Sequence, residues 1–281
     1  MTSRLFPVAL GLCAVFVITL MNGLIKALSP GFETGQVAFM RYLSGGTFAL
    51  MLAVVMRPGW PRSDTLKPQI ARGVLGAISG TSFFFALRSL SLADAFTIGF
   101  LAPLFMVLFG LLFLKERPRG VDLVAVGLGF AGMLVIVHGA GDGGPRPWAG
   151  IAACALSAVT YALAMTMLRS LAQKEALLLI VLFQHWIATL LLAPAAIVVW
   201  QPPSLADTGL FFLAAALGVI GHLLFARAYA MAAAARLAPL EYSALIYAAA
   251  LDFVWFGTLV STQTLVGAGL IILGVLIASR R

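Results

Sequence analysis

Charged residues are scarce in this sequence, and cysteine is scarcer still. Only 10% of the 281 residues are charged, against 62% that are hydrophobic, and so small a polar fraction cannot cover a globule in water. A soluble protein is therefore excluded. The two cysteines, Cys13 and Cys154, lie in separate apolar runs without a CxxC or a Cys/His cluster, which excludes a disulfide framework and the common metal sites. We predict that both cysteines are buried apolar residues.

Several sequence motifs of enzymes are also absent. No lysine stands in a G-x-x-x-x-G-K-[ST] context, which argues against ATP as the direct energy source. HExxH and GxSxG do not occur either, which argues against the commonest zinc and serine hydrolases. The GAGDGG stretch around Asp142 is similar to the GxGD of intramembrane aspartyl proteases, but it stands in a predicted loop without an evident second aspartate. The sequence predicts a protein that is not an enzyme and that uses no cofactor or metal.

The excess of basic residues does not indicate a nucleic acid partner. The chain has 18 Lys and Arg against 10 Asp and Glu. These bases form no stripe interleaved with exposed aromatic residues, and most stand in short connections between apolar runs. They are better explained as signals of membrane topology.

What the sequence contains instead is ten apolar runs of about 20 residues, the length that spans roughly 30 Å of hydrocarbon. The predicted spans are 5–28, 36–56, 70–90, 94–114, 121–138, 148–168, 176–200, 208–231, 237–257 and 265–279. With the N-terminus in the cytoplasm, the outer side receives only Lys26, Arg41, Arg88 and Arg146 of the basic residues. This asymmetry predicts a multi-pass plasma (inner) membrane protein with both termini in the cytoplasm.

The second half of the sequence repeats the pattern of the first half. A shift of 142 positions lays Gly76, Gly80 and Phe83 onto Gly218, His222 and Phe225. Because five is an odd number of helices, the second half must cross the membrane in the opposite orientation to the first. The connection with Arg57 and Arg62 accordingly corresponds in the second half to WQPPSLAD, which contains no basic residue. We predict an all-α integral membrane fold of ten transmembrane helices, built as two inverted five-helix repeats at 1–140 and 148–281. Such repeats are typical of secondary transporters.

Four stretches carry a resemblance to a known family. They are FFFALRSLSLADAFTIGFLAPLFMVLFGLLFLKER and VGLGFAGMLVIV in the first half, and ARAYAMAAAARLAPLEYSALIYAAALDF and GAGLIILG in the second. With them the chain resembles the drug/metabolite transporter superfamily, in its EamA-like branch. The family's proline and acid of the fourth helix appear as Pro103 and Glu116, whereas Thr258 stands where the second repeat would carry the acid. The resemblance implies an exporter of small metabolites, with amino acids and aromatic compounds among the family's substrates.

The candidate substrate site is predicted from helix faces that the two repeats share at helical spacing. The predicted substrate-binding residues from these faces are Gly80, Phe83, Phe100, His222, Phe225 and Tyr242. Asn22 and Tyr161 are added as polar residues of the first and sixth spans. His222 is the most informative of them, because an imidazole near mid-membrane requires a polar partner or a cavity. Helix packing is the alternative role for the glycines and for His222, and contact with lipid or core is the alternative for the aromatic residues.

Charged residues inside the apolar segments need partners, because an isolated charge in hydrocarbon is costly. Arg227 and Glu241 flank the turn between the eighth and ninth spans, and we expect an ion pair, with proton carrying by Glu241 as the alternative. Arg88 and Asp94 flank another turn and are expected to pair in the same way. Asp252 is expected either near the membrane interface or on the substrate path.

These patterns together predict a secondary transporter that exports small metabolites, amino acids and aromatic ones included, by alternating access. Its partners would be a small-molecule substrate and membrane lipid, with coupling to protons or to a counter-substrate left open. The alternatives are a passive channel and a multidrug exporter of the same topology. A carrier saturates and shows counterflow, whereas a channel shows neither.

Overall fold

The chain folds into α-helices throughout the part that the structure, a computed structural model, describes: residues 6–102, 104–105, 108–109, 120–138, 148–172, 174–231, 240–241 and 243–279. The helices there are α1 (Phe6–Leu28), α2 (Thr34–Met56), α3 (Leu66–Leu87), α4 (Leu92–Gly99), α5 (Gly120–His138), α6 (Trp148–Ala172), α7 (Leu177–Val198), α8 (Leu205–Met231), α9 (Ser243–Phe256) and α10 (Thr262–Ser279). Short 3-10 turns cover Ser29–Gly31 and Ser63–Thr65. The prediction of an all-helical fold with ten helices is confirmed.

Polar capping residues set several helix boundaries. The Ser91 hydroxyl accepts the backbone N–H of Asp94 at 2.9 Å at the start of α4. Ser204 and Asp207 cap α8 reciprocally, each side chain accepting the other's backbone N–H at 3.1 Å. Helix α2 ends at Met56, and the following residue, Arg57, has a left-handed φ of 48°. The predicted spans match these helices to within a few residues, and parts of the fourth and ninth spans lie outside the described residues.

Six of the described helical segments are long and apolar enough to cross a membrane by length and composition. They are Phe6–Gly31, Thr34–Met56, Ser63–Leu87, Trp148–Leu168, Leu177–Val198 and Leu205–Phe225. Large apolar side chains cover their outer faces, with Val55 80% exposed and Val198 85% exposed, as suits a surface solvated by lipid tails. Cys154 is buried as predicted, but the prediction for Cys13 is wrong: it is exposed, and a thiol is apolar enough to face lipid.

Helix packing relates the two halves by a two-fold exchange. Each helix of the first half has a counterpart five helices later, so α1 corresponds to α6 and α3 to α8. Helix α1 packs on α8, and the equivalent pair, α6 and α3, packs together as well. The counterparts α2 and α7, α4 and α9, and α5 and α10 pack on each other. Because each half has five helices, counterparts cross the bilayer in opposite directions. The protein is therefore a multi-pass membrane protein of two inverted repeats.

The connections after α2 and after α6 meet at one end of the bundle, here called the basic end. The Glu175 carboxylate accepts the backbone N–H of Arg62 at 2.7 Å and also the Thr65 hydroxyl. Asp64 lies 3.2 Å from both Arg62 Nε and Lys174 Nζ. The Glu175 hydrogen bonds and the Lys174–Asp64 pair link the two halves, although exposed ion pairs are weak.

Candidate functional site

A cavity of about 260 Å³ lies between the two halves of the bundle. Every described helix except α5 and α10 contributes to its wall. The polar and charged side chains of the wall come from both repeats and include Asn22, Arg41, Tyr42, Arg72, Tyr161, Gln184, His185, His222 and Glu241. Most of these residues lie several positions inside their helices, so the cavity occupies the middle of the bundle. Inverted-repeat transporters hold their substrates at this depth.

Seven of the eight residues predicted from the sequence line this one cavity. They are Asn22, Gly80, Phe83, Phe100, Tyr161, His222 and Phe225. The eighth, Tyr242, lies outside the described residues. The helix faces chosen by comparing the two repeats therefore converge in space.

Three basic residues of the cavity wall, Arg41, Arg72 and His185, are not among those predicted from the sequence. The sequence counted Arg41 among the outer bases by its position alone, but both Arg41 and Arg72 are buried, each only 5% exposed. A lone arginine six or seven residues inside a helix looks the same in sequence whether it faces the interface or a cavity. One signal was present: Arg41 and His185 are 144 residues apart, close to the repeat offset, on counterpart helices that pack together.

A chain of polar contacts joins α2, α3 and α7 at the cavity. Arg41 Nη1 lies 2.8 Å from His185 Nε2, and His185 Nδ1 lies 2.8 Å from the carbonyl oxygen of Val181. A carbonyl only accepts, so the ring proton is assigned to Nδ1 and Nε2 accepts from the guanidinium. The Arg41 guanidinium also lies 4.9 Å from the ring centroid of Tyr42, whose hydroxyl donates to the carbonyl of Gly76 at 2.6 Å. The neutral His185 tautomer thus holds Arg41 in place.

Two glycines make these close approaches feasible. A Cβ atom at Gly80 would lie 2.2 Å from the Tyr42 hydroxyl, and a Cβ atom at Gly218 would lie 2.8 Å from Arg41 Nη2. Any larger residue would therefore displace a polar side chain of the cavity wall. Gly80 thus lines the cavity and permits close packing, and its role in substrate binding stays a prediction.

His222 belongs to the cavity wall on α8. Its Nδ1 atom lies 2.6 Å from the carbonyl oxygen of Gly218, so by the same reasoning Nδ1 carries the proton and Nε2 is an acceptor. Glu241, half-buried just before α9, lines the cavity as well. Arg227 is exposed on α8, and its predicted pairing with Glu241 stays a prediction. The wall thus offers donors, acceptors and aromatic faces to one small molecule.

Asp252 lies near the end of α9, and its expected position near the membrane interface stays a prediction. It is 1% exposed and absent from the cavity wall. Its Oδ1 atom lies 3.1 Å from Lys26 Nζ and accepts the N–H of Leu92 at 3.1 Å, while Oδ2 accepts the N–H of Ala93 at 2.8 Å. Lys26 also lies 4.7 Å from the ring centroid of Phe256. This arrangement, here called the clamp, joins α1, α9 and the N-terminus of α4 at the end of the bundle opposite the basic end.

The predicted pairing of Arg88 with Asp94 is wrong. Arg88 Nη1 donates to the carbonyl of Phe32 at 3.0 Å and lies 3.4 Å from Glu33 Oε2, whereas Asp94 accepts the hydroxyl of Thr264. The connection after α1 lies beside the end of α3 and supplies the nearer carboxylate, while the Asp94 side chain meets α10. Tertiary contacts therefore replace the local pairing that the sequence favoured.

Aromatic side chains separate the cavity from the clamp. Phe83 near the end of α3 and Phe96 near the start of α4 are in edge-to-face contact, with ring centroids 5.7 Å apart. Both line the cavity, together with Phe84, which is 4% exposed. On the other side the wall extends to Glu241, towards the basic end. Packed rings thus form the part of the cavity wall that faces the clamp.

Comparison with known proteins places the sequence among membrane transporters. The model of the EamA-like transporter family matches the chain twice, over residues 5–138 and 148–280. Two matches of this length cover nearly the whole sequence, one in each half.

Two characterised groups of relatives are similar over most of their length. The chain is 29% identical over 282 residues to the pseudopaline exporter CntI of Pseudomonas aeruginosa, covering 97% of this chain and 95% of that protein. It is 26% identical over 250 residues to an S-adenosylmethionine uptake transporter of Rickettsia bellii, covering 88% and 84%. A solved crystal structure shares the fold with a TM-score of 0.64 at 21% identity, covering 98% of this chain and 97% of that chain.

Proposed function

The chain belongs to the EamA-like transporter family, and we propose that it is a secondary transporter that exports small metabolites, amino acids among them, by alternating access. The observation that carries the proposal is the cavity between the inverted halves, whose wall is built by both repeats. In such proteins the two halves rock about a central site. The site residues of the proposal are the seven predicted residues of the cavity wall together with Tyr242.

The dimensions and lining of the cavity suit a small amphiphilic substrate. About 260 Å³ is at the lower limit of ordinary ligand pockets, which favours a molecule of amino-acid size over a large drug. Five phenylalanine rings, those of Phe83, Phe84, Phe96, Phe100 and Phe225, share the wall with polar side chains. Aromatic amino acids therefore stay within the proposed range, and a multidrug exporter is the less favoured alternative.

The asymmetry of the clamp supports a resting state in which the cavity is reached from the basic end. At the repeat offset, Lys26 corresponds to Leu168 and Asp252 corresponds to Gly110. The ion pair that closes one end thus has no sequence counterpart at the other. We infer that the basic end faces the cytoplasm, so that the resting protein receives its substrate there, as an exporter requires. Similarity to both an exporter and an uptake transporter leaves the direction to experiment.

In the proposed orientation both termini lie on the cytoplasmic side of the plasma (inner) membrane. This orientation predicts which connections between helices can be labelled from outside the cell. In a background without Cys13 and Cys154, a cysteine introduced at Gln201 should react with a membrane-impermeant thiol reagent added to intact cells. A cysteine at Ser63 should react only after the cells are opened. Both positions are exposed, so differences in burial do not confound the comparison. Outside labelling at Ser63 would reverse the orientation.

Transport itself is tested with purified protein in proteoliposomes. A carrier should show saturable uptake of a radiolabelled amino acid, and an excess of unlabelled substrate inside should accelerate entry of the label. In the same assay, a change in the uptake rate when a pH gradient is imposed would indicate proton coupling. A loss of uptake when internal substrate is omitted would indicate obligatory exchange. Flux that neither saturates nor responds to internal substrate would indicate a channel instead.

A further inference from the structure

Two arginine side chains in the cavity wall are buried without full hydrogen bonding. Arg41 and Arg72 are each 5% exposed, and both line the cavity. The Nε atoms of both guanidiniums lack a hydrogen-bond partner, although guanidinium groups offer five N–H donors in a planar fork. The one side-chain hydrogen bond of Arg41 to a described residue is with the acceptor nitrogen of His185. Their positions on α2 and α3 place them in the walls of the same 260 Å³ space.

Neither guanidinium is neutralised by a carboxylate in the described part of the chain. The ion pairs found there involve Lys26, Arg62, Arg88 and Lys174. A buried cation without a counter-charge is strongly unfavourable, so its presence beside a cavity indicates that the counter-charge is supplied from elsewhere. Arg41, Arg72 and Glu241 are the charged residues of the described wall, and they leave a formal excess of one positive charge.

We propose that Arg41 and Arg72 form an anion subsite that binds the carboxylate groups of an acidic substrate carrying one more acidic group than basic groups, such as an amino dicarboxylate. The proposal rests on the cavity being the substrate site of the proposed transporter and narrows the substrate class. Guanidinium and carboxylate match as planar, bidentate partners. Such a ligand supplies acceptors for the unpartnered N–H groups and cancels the excess charge.

A purely structural role for these arginines fits the contacts poorly. His185 is a neutral acceptor in the assigned tautomer and gives Arg41 one hydrogen bond but no charge compensation. Arg72 makes no hydrogen bond to any described residue, so it does not join helices as an ion pair would. A cationic substrate is disfavoured as well, because it would add a third positive charge to the same space.

The first test needs no ligand. Arg72→Met keeps much of the side-chain volume and removes the buried charge, so the thermal unfolding midpoint of the ligand-free protein in detergent should rise. Arg88→Met is the matched control at the opposite end of α3: it breaks the contact with Glu33 and should leave the midpoint unchanged or lower it. A fall in the midpoint for Arg72→Met would show that the guanidinium is structural and would overturn the proposal.

The second test measures ligand binding through the same midpoint. Glutarate and L-glutamate should stabilise the wild-type protein, whereas glutaramide and L-glutamine, which have similar shapes but fewer carboxylates, should do so at least about tenfold more weakly. Arg72→Met and Arg41→Met should abolish the difference, and Arg88→Met should retain it. Equal effects of acids and amides, or no effect of any acid, would overturn the proposal. Inorganic phosphate acting as well as glutarate would replace carboxylate by phosphate as the ligand.

The two proposals can fail separately. Selective stabilisation by dicarboxylates without counterflow in proteoliposomes would leave the anion subsite standing and remove the carrier mechanism. Counterflow of a neutral amino acid that is unaffected in Arg72→Met would leave the carrier standing and remove the anion subsite.

Discussion

Replacing Asp252 by asparagine is expected to destabilise the protein by about 3–5 kcal/mol, the usual effect of removing one partner from a buried ion pair. The substitution leaves Lys26, whose side chain is 14% exposed, without its counter-charge. It also weakens the acceptor for the N–H groups of Leu92 and Ala93 at the start of α4. The free energy of unfolding, measured by denaturant titration in detergent micelles, gives the effect directly.

Two comparisons separate the clamp from a general effect of losing a carboxylate. Asp207→Asn weakens an exposed helix cap and should lower the stability by only about 1 kcal/mol. Adding Lys26→Met to Asp252→Asn should recover part of the loss, because the unpaired ammonium is then gone. Equal losses for Asp252→Asn and Asp207→Asn would contradict the clamp.

Replacing His222 by alanine is expected to reduce transport by at least about tenfold while leaving the thermal stability close to that of the wild type. The substitution removes an acceptor nitrogen from the cavity wall, and a lost hydrogen bond to a charged substrate group corresponds to about 1.5–3 kcal/mol. The bond from His222 to Gly218 stays within one helix, so its loss should not separate helices. Initial rates of counterflow and unfolding midpoints of the same preparations measure the two effects.

The second histidine of the cavity provides the contrast. His185 connects α7 to Arg41 on α2, so His185→Ala should lower stability by leaving the guanidinium with still fewer partners. If His222 were instead a packing residue, His222→Ala would behave in this same way, with lost stability and an unchanged apparent affinity. Observing that pattern would remove His222 from the proposed site.

The helices were predictable because the relevant information is local. A run of about 20 apolar residues in a chain with few charges has one stable arrangement in a bilayer, and capping residues such as Ser91 and Ser204 mark the boundaries. The repeat added the relation between the halves, and through it the shared faces that contain Gly80 and His222. A two-fold relation between the repeats brings equivalent helix faces together near its axis. Residues chosen from these faces, such as Gly80 and His222, therefore line one cavity.

The errors concern interactions between residues distant in sequence. Asp252 contacts Lys26 and Leu92, which are 226 and 160 positions away, and no periodicity within α9 reveals them. Arg88 and Asp94 were predicted to pair because they flank one turn. In the folded protein Glu33 lies nearer to Arg88 and contacts its guanidinium. Arg72 was overlooked because a base in a sequence is counted towards topology before its burial is known, and only the tertiary structure shows the cavity beside it.

The central claim is that the cavity is the central site of a carrier whose clamped end is closed at rest. The direct measurement uses a cysteine at Ser157, which lines the cavity, in a background without Cys13 and Cys154, and a membrane-impermeant thiol reagent applied to one face at a time. The account predicts labelling from the cytoplasmic face only in the absence of substrate, with outside labelling appearing when substrate on both sides drives exchange. Labelling from both faces without substrate would show a continuous pore and contradict the account, and labelling from the outside alone would contradict the closed clamp.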